Sequence, residues 1–230
     1  MTTSTNSASA KGIAVVIGAN RGIGFELATQ LQQQGYSVIG TCRSDAGDLE
    51  GTKLRVAKDV DMTKDGGLEN LRSLLEDKSV ALLIVNAGVL LADNLDTVDF
   101  ADIRLQFEVN TLGPLRAVRD LKDKLTNGAK VGLMTSRMGS ITDNTSGNMV
   151  GYRVSKTALN QVGMCLAHDL SPRDIAVTLL HPGFVKTKMT GGNGHVEANE
   201  AARGLLERMH ELTLEKTGTF WHANGEALPW

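Results

Sequence analysis

Short apolar runs alternate with longer amphipathic stretches from residue 13 almost to the end of the chain. IAVVIG (13–18) leads into an apolar-periodic stretch over 23–34, followed by YSVIGTC (36–42), a short loop and KLRVA (53–57). A helical pattern over 64–76, the run VALLIVNAG (80–88), a long helix over 99–125 and the strand KVGLMTS (130–136) come next. A helix over 151–170, the strand IAVTLLHPG (175–183), a helix over 199–212 and a last strand around GTFWH (218–222) complete the series. Four to eight apolar residues bounded by Gly, Asn or Ser read as strands buried on both faces. Strands alternating with helices predict a parallel sheet of about seven strands covered on both sides, a three-layer doubly wound α/β fold.

At 230 residues with no Pro-rich linker, repeat or low-complexity stretch, the chain reads as one domain over residues 11–230. Residues 1–10, small and polar, are expected to be disordered and lack the apolar segment of a secretory signal. A formal net charge of −2 without a basic block points away from nucleic acid and from an anionic membrane surface, toward a small-molecule substrate. Cys42 and Cys165 lie far from CxxC spacing, which fits a reducing, cytoplasmic compartment. The Gly-rich stretches 145–151 and 190–194 each flank a chemical motif and read as site loops rather than linkers.

The first strand runs directly into Gly18-Ala19-Asn20-Arg21-Gly22-Ile23-Gly24, with a helix starting at its end. Glycines at such a turn let the backbone approach a pyrophosphate, and the helix N-terminus supplies free N–H groups and the positive end of its dipole. The spacing is GxxxGxG. A purely structural turn is the bland alternative for this feature alone. Arg43, at the end of the second strand, and Arg21 could neutralise a ribose 2′-phosphate, which favours NADP(H) over NAD(H); they could equally be two solvated arginines. Tyr152 and Lys156 stand four apart, so a helix puts them on one face, where an ammonium would lower the phenol pKa toward working pH. YxxxK recurs by chance on many helices, and gains weight only beside the other features. Ser136, ending a strand on the same sheet edge as the glycine turn, could donate to a carbonyl oxygen that becomes an alkoxide; a strand-end cap is its plain alternative.

Taken together and in order, these motifs resemble the short-chain dehydrogenase/reductase family nearly end to end. The resemblance implies a Rossmann fold and assigns Gly18, Asn20, Arg21, Gly22, Ile23 and Gly24 to the cofactor turn, with Asp59-Val60 beside adenine and Asn86-Ala87-Gly88 after the fourth strand. It implies that Asn110, Ser136, Tyr152 and Lys156 form a catalytic tetrad, and that Pro182, Gly183, Val185 and Thr187 hold the nicotinamide carboxamide. In that scheme Tyr152 protonates the alkoxide and Ser136 polarises the carbonyl. Lys156 binds the nicotinamide ribose, and Asn110 positions a water that links Lys156 to solvent. Ser136 lies three residues further from Tyr152 than is usual, which keeps Ser140 in view for the serine role. The short length and the ending GTFW…GEALPW resemble the sniffer-like and C-factor-like carbonyl reductases, and a homodimer or homotetramer is implied by that likeness alone.

Other chemistries find less support. His181, His195, His210, Glu197 and Glu211 show no HExxH or paired Cys/His spacing, so no metal is expected, and GxSxG is absent. An NADP-binding sensor without turnover remains the rival, although a sensor has no physical need for the Tyr–Lys couple. The Gly-rich segment after the Pro-Gly motif predicts an open pocket for small or medium aldehydes and ketones, bordered by Arg137, Met138, Val150, Phe184 and Met189. Met134, Met138, Met149 and Met189 could adapt to varied apolar substrates or simply fill the core.

Overall fold

A computed structural model describes residues 11–230; the expectation of disorder over 1–10 lies outside the described residues. Along the chain come β1 (Ile13–Ile17), α1 (Gly22–Gln33), β2 (Ser37–Thr41), β3 (Arg55–Ala57), α2 (Glu69–Leu75) and β4 (Val80–Val85). They are followed by α3 (Phe100–Phe107), α4 (Gly113–Leu121), β5 (Leu125–Met134), α5 (Val150–Leu170), β6 (Ala176–His181), α6 (Ala198–Glu211) and β7 (Thr219–His222). All seven strands pair in parallel, in the order β3-β2-β1-β4-β5-β6-β7. The order reverses at β1/β4, so the loops leaving the C-terminal ends of these two strands diverge and open a crevice there.

Period-2 alternation decides which core each strand residue joins. In β1, Ala14 and Val16 pack with Leu27 and Leu31 of α1 and with Leu205 and Met209 of α6. Ile13, Val15 and Ile17 pack on the opposite face with Leu71 of α2, Val118 and Leu121 of α4, and Leu159 and Leu166 of α5. The result is three layers, α1/α6, sheet and α2/α4/α5, with α3 lying against α5. Each fully buried Leu or Ile in these layers contributes about 1.5–3 kcal/mol. Gly132 of β5 makes room for α6: a Cβ there would stand 2.7 Å from Met209 Sδ.

Two helices differ from the sequence reading. The helix expected over 64–76 starts only at Glu69, because residues 61–67 close on themselves through Asp61 N–H donating to Gly67 O, and a Cβ at Gly67 would lie 1.9 Å from Asp61 O. The helix expected over 99–125 divides into α3, one π-helical turn over Glu108–Leu112, and α4, and the chain is already in β5 at Leu125. Pro114 explains the division. It has no N–H to donate to the carbonyl four residues back, that of Asn110, and its ring crowds that carbonyl, so the helix opens by one residue there.

Candidate active site

The glycine turn after β1 is built around close backbone approach. Gly18 (φ +80°) and Gly22 (φ +53°) hold left-handed backbone that disfavours a side chain. A Cβ at Gly24 would lie 2.0 Å from Gly18 O and 2.6 Å from Asn86 Nδ2, and one at Gly18 would lie 2.7 Å from the Ala87 methyl. Asn86 locks the turn by donating from Nδ2 to Gly18 O at 2.8 Å, and Thr41 Oγ1 accepts from Gly18 N–H at 3.2 Å. No side chain caps α1 and no acidic residue stands in its first turn, so no side chain occupies the N–H groups at its start. Such a cradle fits a dinucleotide pyrophosphate.

At the outer end of this cradle Arg21 and Arg43 are exposed, and neither joins an ion pair among the described residues. Nearby, Asp45 Oδ1 is occupied by Gly47 N–H, and Asn20 donates to Asp45 O. Asp59 sits exposed at φ +58° and Val60 is buried, its N–H donating to Cys42 O. On the far side, the loop after β6 arches back until Thr187 Cγ2 is 3.6 Å from where a Gly22 Cβ would be. Gly183 turns at φ +90°, Val185 is buried and pairs with Val196, and Thr187 and Thr190 cap each other.

Ser136, Tyr152, Lys156 and Asn110 are all buried and converge where the C-terminal ends of β4 and β5 meet the N-terminal turns of α5. The Ser136 hydroxyl favours the ionised form of the Tyr152 phenol, and it accepts from Met138 N–H at 3.2 Å. Lys156 Nζ lies 5.7 Å from the Tyr152 ring centre and donates to Met134 O at 2.8 Å. Asn110 is fixed by the π turn. Its Nδ2 donates to Val89 O and Ser155 Oγ, and its Oδ1 accepts from Val89 N–H. Gly88 keeps the space between them clear: a Cβ there would lie 3.0 Å from Asn110 Oδ1 and 3.5 Å from Lys156 Nζ. Ser140 is turned away from this group, its hydroxyl donating to Trp230 O.

The electrostatics correct one expectation. Burial pushes the Tyr152 phenol up to about 12, against the smaller lowering by Ser136, and burial pushes Lys156 down to about 7. The ammonium of Lys156 therefore does not bring Tyr152 toward neutral pH here, because desolvation disfavours both charged forms. His181, half-buried and facing His222 edge-on at 4.9 Å, is driven down to about 3 by desolvation and then by His222, so it is neutral. Among the described residues no three His, Cys, Asp or Glu side chains gather as metal ligands.

The residues named for a substrate pocket are divided. Val150, Phe184 and Met189 are exposed, Phe184 with its ring against His195, and Met138 is half-buried. Arg137 is half-buried and already engaged, its Nη2 lying 2.5 Å from Glu226 and its Nε 3.4 Å from Asp143. Several partners have no motif in the sequence. Asp93 accepts from the N–H groups of Val150 and Gly151 and so caps α5 across 57 residues. Thr135 and Asn160 hydrogen-bond each other at 2.7 Å behind Ser136. Ser155 was open to detection, since it falls on the same helix face as Tyr152.

Residues 12–198 match the family described as short chain dehydrogenase. The chain belongs to this family. Among its short-chain dehydrogenase relatives is 1-hydroxy-2-glutathionyl-2-methyl-3-butene dehydrogenase of Rhodococcus sp. (strain AD45), 42% identical over 94% of this chain and 98% of the relative. In structure the chain is similar to the carbonyl reductase Sniffer of D. melanogaster, with a TM-score of 0.87 at 26% identity, covering 96% of this chain and 100% of that one. It is also similar to the NADPH-bound carbonyl reductase from chicken fatty liver, with a TM-score of 0.85 at 25% identity over 95% and 94% of the two chains. This short-chain dehydrogenase is thus an oxidoreductase whose structural neighbours include carbonyl reductases, some of them with NADP(H) bound. No helix among its described residues is long and apolar enough to cross a membrane.

Proposed function

We propose that this chain is an NADPH-dependent reductase that transfers hydride to an aldehyde or ketone, and reversibly oxidises the alcohol, with Ser136, Tyr152, Lys156 and Asn110 as its working group. The convergence of a protonated Tyr152, the Ser136 hydroxyl and Lys156 beside the glycine cradle is the observation that carries this reading. The bound nicotinamide supplies hydride. Gly18 to Gly24 would hold its pyrophosphate, Asp59-Val60 and Asn86-Ala87-Gly88 would border the adenosine side, and Pro182, Gly183, Val185 and Thr187 the nicotinamide side. Ser136 donates to the carbonyl oxygen, and Tyr152, kept protonated by burial, delivers the proton that the developing alkoxide needs. Lys156 stabilises the phenolate left behind, and Asn110, anchored to Val89 and Ser155, keeps that end of the site in place.

The free guanidinium groups of Arg21 and Arg43 support NADPH over NADH, and the NADPH-bound chicken reductase agrees with that choice. The exposed rim of Val150, Phe184 and Met189 supports an open, apolar pocket. The Rhodococcus relative is named for oxidation of a hydroxyl compound, which makes alcohol oxidation the second direction to assay. The test follows NADPH consumption with a panel of aldehydes, ketones and diketones, then NADP+ reduction with the matching alcohols, each repeated with the non-phosphorylated cofactor. Turnover of several small carbonyls with NADPH, and at least tenfold weaker use of NADH, is expected. Equal use of both cofactors would overturn the cofactor choice, and cofactor binding without turnover of any member would favour a sensor.

A further inference from the structure

Ser136 lies at the start of a turn that is gripped from two sides. On the α5 side, Gly139 O accepts from Thr157 Oγ1 at 2.9 Å and from Asn160 Nδ2 at 3.2 Å, and a Cβ at Gly139 would lie 2.8 Å from the Lys156 carbonyl carbon. On the other side stands the chain after β7, residues 223–230. This segment folds back antiparallel on β7: Ala227 pairs with Trp221, His222 N–H donates to Glu226 O, and Leu228 N–H donates to Phe220 O. It touches the Ser136 turn at two points. Glu226 is 2.5 Å from Arg137, the residue after the serine. The carbonyl oxygen of Trp230 accepts from Ser140 Oγ at 2.9 Å, Ile141 N–H at 2.6 Å and Thr142 N–H at 3.1 Å, while its indole stacks on Phe220 at 5.6 Å.

We propose that residues 223–230 form a strap that positions the Ser136 hydroxyl through two latches, Glu226 on Arg137 and Trp230 on residues 140–142. This rests on the proposed role of Ser136 in the reaction. Ser136 Oγ is tied to its own turn by Met138 N–H, and Gly139 N–H donates to Ser136 O, so rotation of the turn carries the hydroxyl with it. A shift of about 1 Å in such a group costs roughly a hundredfold in rate. Arg137 and Glu226 are both partly exposed, so their ion pair adds little to folding and its effect on the serine is separable from unfolding. The pairing also assigns Arg137 to the strap rather than to an anionic substrate, because its charge is already matched by Glu226 and Asp143. Glu226 and Trp230 are positioning residues; neither touches the reacting atoms.

The test compares Glu226→Ala and a chain shortened by residue 230, which removes the main-chain acceptor, in two backgrounds, the natural chain and Ser136→Ala, with NADPH and the best aldehyde of the panel. In the natural background each variant is expected to lower kcat about tenfold with KM for NADPH unchanged. In the Ser136→Ala background, where kcat is already about a hundredfold down, the same changes are expected to alter kcat less than about twofold. Equal losses in both backgrounds would make the strap merely structural, and no loss in the natural background would remove it while leaving the serine's role intact. A Ser136→Ala enzyme with natural kcat would remove both. Hydrogen exchange at the Met138 and Gly139 amides is read alongside, with Glu226→Gln as the gentler variant. Faster exchange in Glu226→Ala than in the natural chain is expected, and unchanged protection would overturn the strap whatever the turnover.

Discussion

Tyr152 and Lys156 share one buried face of α5, and burial drives each toward its neutral form: the phenol up to about 12, the amine down to about 7. For carbonyl reduction the first shift is useful, since a proton donor must hold its proton until the alkoxide forms. The second sets the pH dependence. The Lys156 pKa in the folded protein is below its ordinary 10.5, so the charged form is lost as pH rises through about 7, and with it the cation proposed to stabilise the Tyr152 phenolate. The kcat/KM for reduction is therefore expected to fall on the alkaline side of about pH 7 in the free enzyme, and Lys156→Arg, which does not titrate, to flatten that limb. A limb that persists in Lys156→Arg would assign it to another group. The same depressed pKa means the unfolded chain binds the extra proton between about pH 7 and 10.5, so this residue makes the fold more stable as pH rises across that window. The Tyr–Lys spacing was legible in the sequence because helical geometry makes i and i+4 neighbours. The direction of their shifts was not, because it depends on desolvation by residues far away in the chain.

At the level of elements, α5 carries the Tyr and Lys, and its start is held by unusual means. Asn148 and Met149, at φ +54° and +53°, take left-handed backbone just before the helix, and Asp93 reaches across from the β4–α3 loop to accept the first two N–H groups. An acceptor at a helix N-terminus is worth roughly 0.5–2 kcal/mol. Asp93→Ala is expected to lower unfolding free energy by about 1–2 kcal/mol, read as a lower urea midpoint at unchanged slope. An unaltered midpoint would show that water replaces the carboxylate without loss. Pro114 acts similarly on Asn110: Pro114→Ala gives the ladder back its donor and is expected to convert the π turn toward regular α-helix, weakening the Asn110 bonds to Val89 and Ser155. A drop in kcat with natural cofactor affinity would be the sign of this; natural kcat would argue that Asn110 holds its place without the π turn. Helix positions were readable from apolar periodicity, yet their interruptions were not. Gly66-Gly67 and Gly113-Pro114 fall inside the stretches that periodicity marks as helical, and the contacts of Gly67 and the carbonyl of Asn110 decide that they are breaks.

Across the whole molecule, the parallel order delivers every proposed site loop to one sheet edge: the glycine turn after β1, Asn86–Gly88 after β4, Ser136 after β5 and Pro182–Thr187 after β6. This much was legible, since alternating strands and helices require right-handed crossovers and hence a common edge for the strand ends. The strap over residues 223–230 was not, because nothing local in GEALPW announces that it turns back onto β7. A cofactor that binds only the folded chain stabilises it by mass action, so NADPH at a hundred times its Kd is expected to add about 2.7 kcal/mol of stability. For a domain of this size that is a rise in Tm of roughly 5–10 °C. NADH at the same concentration should give less, and Gly24→Ala, which drives a methyl into Gly18 O, should abolish the rise. The most direct test of the central claim is the rate of NADPH oxidation by a small aldehyde, in the natural chain and in Tyr152→Phe, with NADPH affinity measured for both. A loss of about a hundredfold or more in kcat at unchanged NADPH affinity is the expected result, since one positioned proton donor contributes about that much. Natural turnover in Tyr152→Phe would contradict the assignment of the proton to Tyr152, and with it the account of this site.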